Sequence, residues 1–100
     1  MKYISQVGIN LTRRGVRPPP GRVIAYMCLV WTDDAQPIDE ELDAAIETVE
    51  GVTWTAEDAG STWEGAIYGR DPESVESARQ FLIDGKGWRS ENVGEGDAGD

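Results

Sequence analysis

The sequence predicts a single α+β domain, with a four-stranded antiparallel sheet and two helices on one face. Three observations lead to this fold class. A hundred residues are enough for one hydrophobic core. Two segments place apolar residues at helical spacing, and the remaining apolar runs are short, rich in β-forming residues and separated by glycine, proline and acidic turns.

The first two predicted strands lie on either side of a proline-rich loop. Residues 3–11 alternate in polarity, which is typical of a half-buried strand at a sheet edge. Residues 13–21, RRGVRPPPG, are expected to form a loop, because consecutive prolines hold the chain extended and donate no ladder hydrogen bonds. Residues 23–31, VIAYMCLVW, are apolar throughout and predict a strand buried on both faces.

The first predicted helix begins at Pro37 and ends before Gly51. Its buried stripe consists of Ile38, Leu42, Ala45, Ile46 and Val49. Residues 52–55 and 62–69 then have the composition of two strands joined as a hairpin.

The second predicted helix begins after Asp71, an N-cap followed by Pro72, and closes at Gly85. Its buried stripe consists of Val75, Ala78, Phe81 and Leu82. Residues 87–89 could add a short strand to the four predicted strands. We place the domain at residues 1–89 and interpret residues 90–100 as an acidic, glycine-rich, disordered tail.

The element order is therefore ββαββα. Residues 22–89 alone give the βαββαβ order of the ferredoxin-like fold if Trp88 begins the last strand. We expect the N-terminal strand to pair antiparallel with residues 22–31, in the position that the last ferredoxin-like strand would hold. The domain is thus predicted to be a relative of that fold.

The charge distribution is the most informative feature for function. Residues 1–31 carry five basic residues and no acid, whereas residues 32–100 carry four basic residues and all nineteen acids. A net charge of −10 disfavours direct binding to DNA, RNA or an anionic membrane. The expected partner is a basic protein or a ribonucleoprotein complex, bound by a monomer.

The residues available for chemistry are few, so we predict no enzyme, no cofactor and no metal site. The chain has no histidine, and Cys28 lies mid-strand among apolar neighbours, as a small core residue does. The acid pairs at 33–34 and 57–58 lack the ligand spacing of a calcium loop, although an acid-based enzyme or a cation-binding domain stays a third alternative. A lone cysteine and the absence of a long apolar segment predict a cytoplasmic protein.

The outer face of the first helix is the sharpest candidate site. Its acids recur at i, i+3, i+7 and i+10, namely Glu40, Asp43, Glu47 and Glu50. The helix contains no Lys or Arg that would offset the repulsion between its acids. Each like-charge pair at i,i+4 destabilises a helix by about 0.2–0.5 kcal/mol. This face is either an ordinary solvated surface or, helped by Glu57 and Asp58, a nucleic-acid-like surface that fits a basic groove.

Two further groups are candidate contacts. Arg13, Arg14 and Arg17 lie in the proline-rich loop, whose alternative interpretation is a solvated edge loop. Trp88 lies between basic residues just before the tail, so we expect it to be partly exposed and to anchor an interface. The other three tryptophans, Trp31, Trp54 and Trp63, are expected in the core.

The chain is small, strongly acidic and without histidine, and it opens with residues 1–8, MKYISQVG. In these features it resembles small phage-encoded anti-CRISPR proteins of the type I-F class. That resemblance implies a non-catalytic inhibitor that binds a CRISPR surveillance complex in the bacterial cytoplasm and blocks target DNA binding through an acidic, DNA-like surface. The alternative is a generic ferredoxin-like interaction or regulatory module that dimerises through its sheet.

Overall fold

The computed structural model describes residues 1–9, 11–13 and 25–95. Two helices lie in this part of the chain, α1 (Asp39–Ile46) and α2 (Pro72–Gln80), and α2 continues into a π-helical turn (Phe81–Gly85). The strands are β1 (Lys2–Ile4), β2 (Gly8–Ile9), β3 (Leu11–Thr12), β4 (Tyr26–Thr32), β5 (Val52–Asp58), β6 (Trp63–Gly69), β7 (Arg89–Ser90) and β8 (Gly94–Glu95). The predicted α+β class with two helices is confirmed.

The main sheet is mixed and has six strands, so the predicted four-stranded, purely antiparallel sheet is wrong. Its order is β5-β6-β4-β1-β7, and β2 also pairs with β4. The β5–β6 hairpin and the antiparallel pairing of β1 with β4 agree with the prediction. The added strand is β7, which pairs in parallel with β1 and places Tyr3 opposite Arg89.

The parallel pair arises because two chain segments compete for one place in the sheet. β1 occupies the position beside β4 that the last strand of a ferredoxin-like sheet would take. The strand that follows α2 therefore lies one position further out and runs in the same direction as β1. A strand of two residues has no hydrophobic period, so the sequence could not predict its partner.

Both helices cover the same face of the sheet. Leu42 of α1 and Val75 of α2 belong to one core cluster with Cys28, Val30 and Ile67. Cys28 is fully buried, as expected, and burial raises the pKa of its thiol to about 12. Its sulfur therefore stays protonated at neutral pH and serves as a small apolar core group.

The other face of the sheet has a second core, which explains why β4 is apolar on both sides. Leu29 and Trp31 of β4 pack there with Leu11 of β3. β3 in turn pairs with β8, and the Gln6 side chain exchanges two hydrogen bonds with the backbone of Val93. The prediction that the tail begins at residue 90 is therefore wrong for residues 90–95, and residues 96–100 lie outside the described part.

The first helix is shorter than predicted at both ends, since it begins at Asp39 rather than Pro37, whereas the second helical segment closes at Gly85 as predicted. α1 stops at Ile46, because the β-branched Thr48 and Val49 disfavour continuation, and Gly51 adopts a φ of +79° in the turn before β5. The predicted N-cap of α2 is confirmed, since an Asp71 oxygen accepts a hydrogen bond from the Glu73 amide at 3.0 Å. Across the described residues, neither helix has the length and apolar content that crossing a membrane requires.

Candidate protein-interaction surface

The outer side of α1 and of the turn that follows it carries an acidic row. It consists of four exposed carboxylates, Glu40, Asp43, Glu47 and Glu50. Leu42 and Ala45, on the opposite side of the helix, are buried against the sheet. The apolar stripe thus fixes the rotation of α1 and turns the acids toward solvent. Glu50 lies beyond the helical part, so the helical spacing holds only as far as Glu47.

No ion pair within the described residues involves the acidic row. The ion pairs there include those of the N-terminal ammonium with Asp33 and Asp34, of Lys2 with Glu41, and of Arg79 with Glu76. Asp43 accepts a hydrogen bond from the indole nitrogen of Trp54 at 2.8 Å, which holds it beside β5 but adds no positive charge. The described part of the chain therefore leaves the negative charge of the row without a neutralising cation.

Glu41 lies on the inner edge of the same helix and has a structural role that the sequence did not indicate. Its two oxygens accept hydrogen bonds from Lys2 Nζ and Trp88 Nε1, each at 2.6 Å. Partial burial alone would raise the pKa of Glu41, but the hydrogen bonds from Lys2 and Trp88 and the charge of Lys2 outweigh it and lower the pKa. This carboxylate is committed to the fold.

The expectation that Trp88 is exposed is wrong. Only 3% of the residue is accessible, and it belongs to the core cluster beneath the helices. Its indole N–H is satisfied by Glu41. A buried aromatic ring whose polar atom is paired anchors the core, so Trp88 is not available as an interface residue in this structure.

Glu57 and Asp58, at the end of β5, point to opposite faces of the sheet. Val52, Trp54 and Ala56 of β5 pack toward the helices, so strand alternation directs Glu57 to the opposite face. There it lies directly across from Glu64 of β6. Asp58 accepts a hydrogen bond from the Gly60 amide at 2.8 Å and stabilises the hairpin turn. Strand alternation therefore separates Glu57 from α1, whereas Asp58 contacts the hairpin turn.

Arg13 is placed on the second face of the sheet rather than near α1. Its guanidinium lies 4.1 Å from the centroid of the Trp31 ring, which stacks on Tyr3. This contact is a cation–π interaction that covers the second core. Arg14 and Arg17 lie outside the described residues.

A second acidic feature, which the sequence did not indicate, is an open groove of about 850 Å³ between the end of α1 and α2. We call it the α1–α2 groove. It is lined by Thr48, Val49, Glu50, Asp71, Glu73, Ser74, Ser77, Gln80, Phe81, Asp84 and Gly85. Its acids come from the turn after α1 and from both ends of the second helical segment, which only the tertiary fold brings together. One signal was available, since Val75, Ala78 and Leu82 complete a buried stripe without Phe81.

Phe81 itself is 38% exposed, so the prediction that it belongs to the buried stripe is wrong. Leu82 takes the buried position of the π-helical turn, and Phe81 contributes to the groove wall. Lys86 approaches its ring, with Nζ 5.9 Å from the centroid. The α1–α2 groove therefore combines carboxylates with an accessible aromatic ring.

These surfaces can act on a partner through charge and packing. Among the described residues, no group of three or more cysteines, aspartates or glutamates is arranged to hold a metal ion.

The chain matches no family model, no curated protein and no solved structure.

Proposed function

We propose that this protein is a non-catalytic binding protein whose acidic row occupies a basic groove on a protein or ribonucleoprotein partner. The observation that carries the proposal is the row itself, four exposed carboxylates without an ion pair among the described residues. Complementary charge steers encounter and selects the partner. From Glu40 to Glu47, a helical rise of 1.5 Å per residue spaces successive acids of the row roughly 5 Å apart along the axis, loosely like backbone phosphates.

The resemblance to type I-F anti-CRISPR proteins supplies the candidate partner. The resemblance implies that an acidic helix would compete with target DNA for the lysines and arginines with which such a complex holds that DNA. We therefore propose that the protein is a stoichiometric inhibitor that acts in the bacterial cytoplasm and blocks target DNA binding. Its small size and net charge of −10 support this role.

Charge reversal at the acidic row tests the proposal. In Glu40→Lys/Glu47→Lys, both changed side chains are exposed and have no hydrogen bond to another described residue, so the fold should persist. We expect binding to an immobilised type I-F complex to weaken about 10- to 100-fold, which corresponds to roughly 1.4–2.8 kcal/mol. Competition with labelled target DNA should weaken in parallel.

The matched control is Glu64→Lys/Glu91→Lys, which changes the net charge equally but lies on the second face of the sheet. This variant should bind much more tightly than the row variant. Equal binding by the row variant and the wild type would show that another surface makes the contact. Binding that stays constant between 50 and 500 mM NaCl would also contradict an electrostatic interface, because salt screens exposed charges.

A second candidate is a generic interaction or regulatory module that dimerises through its sheet. β5 lies at the sheet edge and, within the described residues, pairs only with β6. A second copy paired antiparallel around Thr55 would place Val52 opposite Asp58 and keep the acidic ends apart. A stable dimer in sizing chromatography at micromolar concentration would favour this candidate, whereas a monomer favours the inhibitor.

A further inference from the structure

We infer that the α1–α2 groove binds an arginine side chain of the basic partner, with Phe81 as the platform on which the guanidinium stacks. The inference deepens the proposed function and rests on it, since both require a basic partner. The groove volume of about 850 Å³ is within the range of pockets that hold a bound ligand or peptide segment. Its occupant is a protein segment with exposed arginine, selected by complementary charge.

Phe81 is the first argument. The core beneath α2 is completed by Val75, Ala78 and Leu82, all fully buried, so packing does not require Phe81 at this position. Its ring stands at the groove wall instead, where one side chain can present a flat apolar face to a ligand. An exposed aromatic ring inside a concave surface is the arrangement that interface anchors use.

The position of Lys86 is the second argument. Its ammonium lies 5.9 Å from the ring centroid of Phe81, which is the outer limit of a cation–π contact. The ring therefore already faces a cation, but holds it weakly. A guanidinium is planar and less strongly hydrated than an ammonium, so it stacks closer on an aromatic ring and would displace Lys86.

The groove carboxylates are the third argument. Glu50, Asp71, Glu73 and Asp84 line the same concavity as Phe81. Arginine presents a fork of donors that pairs with a carboxylate while its face stacks on a ring, whereas lysine is a point charge. The combination of ring and carboxylates therefore favours arginine over lysine at equal charge.

The test is an NMR titration of the full ¹⁵N-labelled chain with hexa-arginine or hexa-lysine at 150 mM NaCl. We expect hexa-arginine to shift the amides of Glu50, Ser77 and Phe81 and to bind more tightly than hexa-lysine. Phe81→Ala should weaken hexa-arginine binding about threefold, whereas Phe81→Trp should preserve it. Lys86→Gln should strengthen binding about twofold, because it removes the competing cation.

Equal affinity for the two peptides, together with unchanged binding by Phe81→Ala, would overturn the inference. Shifts confined to Asp43 and Glu47 would overturn it as well, because the peptide would then sit on the acidic row. Partner binding separates the two proposals. If Glu40→Lys/Glu47→Lys loses the partner and Phe81→Ala keeps it, the groove inference fails and the proposed function stands, and the reverse result rejects the row as the contact.

Discussion

The inner edge and the outer face of α1 carry the same kind of side chain in different environments. On the inner edge, Glu41 accepts hydrogen bonds from Lys2 and Trp88 and is about one quarter exposed, at 26%. On the outer face, Glu47 is exposed and has no ion pair within the described residues. Environment, and not residue type, therefore decides which carboxylate stabilises the fold and which stays exposed to solvent.

The contacts of Glu41 also show how the ends of the chain are joined. Lys2 lies in β1, and Trp88 directly precedes β7, the strand that pairs with β1. One carboxylate of α1 therefore connects both segments to the helical layer. Lys2, a basic residue near the N-terminus, therefore neutralises Glu41 within the molecule. The acidic row forms no such ion pair among the described residues.

The largest expected effect is at Trp88. Trp88→Ala removes a buried aromatic ring, so we expect the free energy of unfolding in urea to fall by about 3–5 kcal/mol. Trp88→Phe keeps a ring but loses the donor to Glu41, and should cost less, about 1–3 kcal/mol. A loss below about 1 kcal/mol in Trp88→Ala would contradict the core position of this residue.

A smaller effect is expected at Glu41. Glu41→Gln removes the ion pair with Lys2, and solvent screens part of that interaction, so the free energy of unfolding should fall by about 1 kcal/mol. Glu47→Gln makes the same change in charge on the outer face and serves as the control. If the two variants have equal stability, the contrast between the two sides of α1 is wrong.

The same contrast should depend on pH. The pKa of Glu41 is lowered from its ordinary value of 4.5, so the folded state binds a proton less readily than the unfolded state. The stabilisation by Glu41 is then complete above pH 4.5 and is lost as pH falls through the lowered pKa. The stability difference between wild type and Glu41→Gln, measured by urea unfolding from pH 6 to 3, should shrink in that window. A constant difference would exclude a role for the charge.

The smallest expected effect is a gain in stability at the outer face. Glu47→Gln removes the like-charge i,i+4 pair with Asp43, so it should stabilise the protein by about 0.2–0.5 kcal/mol at low salt. The gain should disappear in 1 M NaCl, where the screening length is about 3 Å. Destabilisation by Glu47→Gln would mean that this glutamate has a stabilising contact.

Prediction from sequence succeeded where the signal is local or periodic. The apolar run that became β4, the β5–β6 hairpin and the N-cap Asp71 were all predicted, because strand burial, turn composition and helix capping depend on neighbouring residues. The acids of α1 were placed on the correct side for the same reason. Periodicity fixes which face of a helix is buried, so it also fixes which face is exposed.

Prediction failed at Trp88, Phe81 and Glu57 because their environments come from distant segments. Trp88 is buried in the core cluster that α1 and α2 cover, whereas its basic neighbours in the sequence had indicated exposure. Phe81 has the helical spacing of the buried stripe, but Leu82 takes the buried position beside it and Phe81 stays exposed. Glu57 adjoins Asp58 in sequence, yet strand alternation places it on the face away from α1.

By itself, the amino-acid sequence determined the α+β class, the helical and strand segments, and the acidic outer face of α1, since all of these follow from composition and short-range periodicity. Only the tertiary structure decided the parallel place of β7, the pairing of Glu41 with Lys2 and Trp88, and the groove that gathers Glu50, Phe81 and Asp84. These features join segments far apart in the chain. The stability of each contact depends on which distant segments lie side by side, and a pattern within one segment does not predict this.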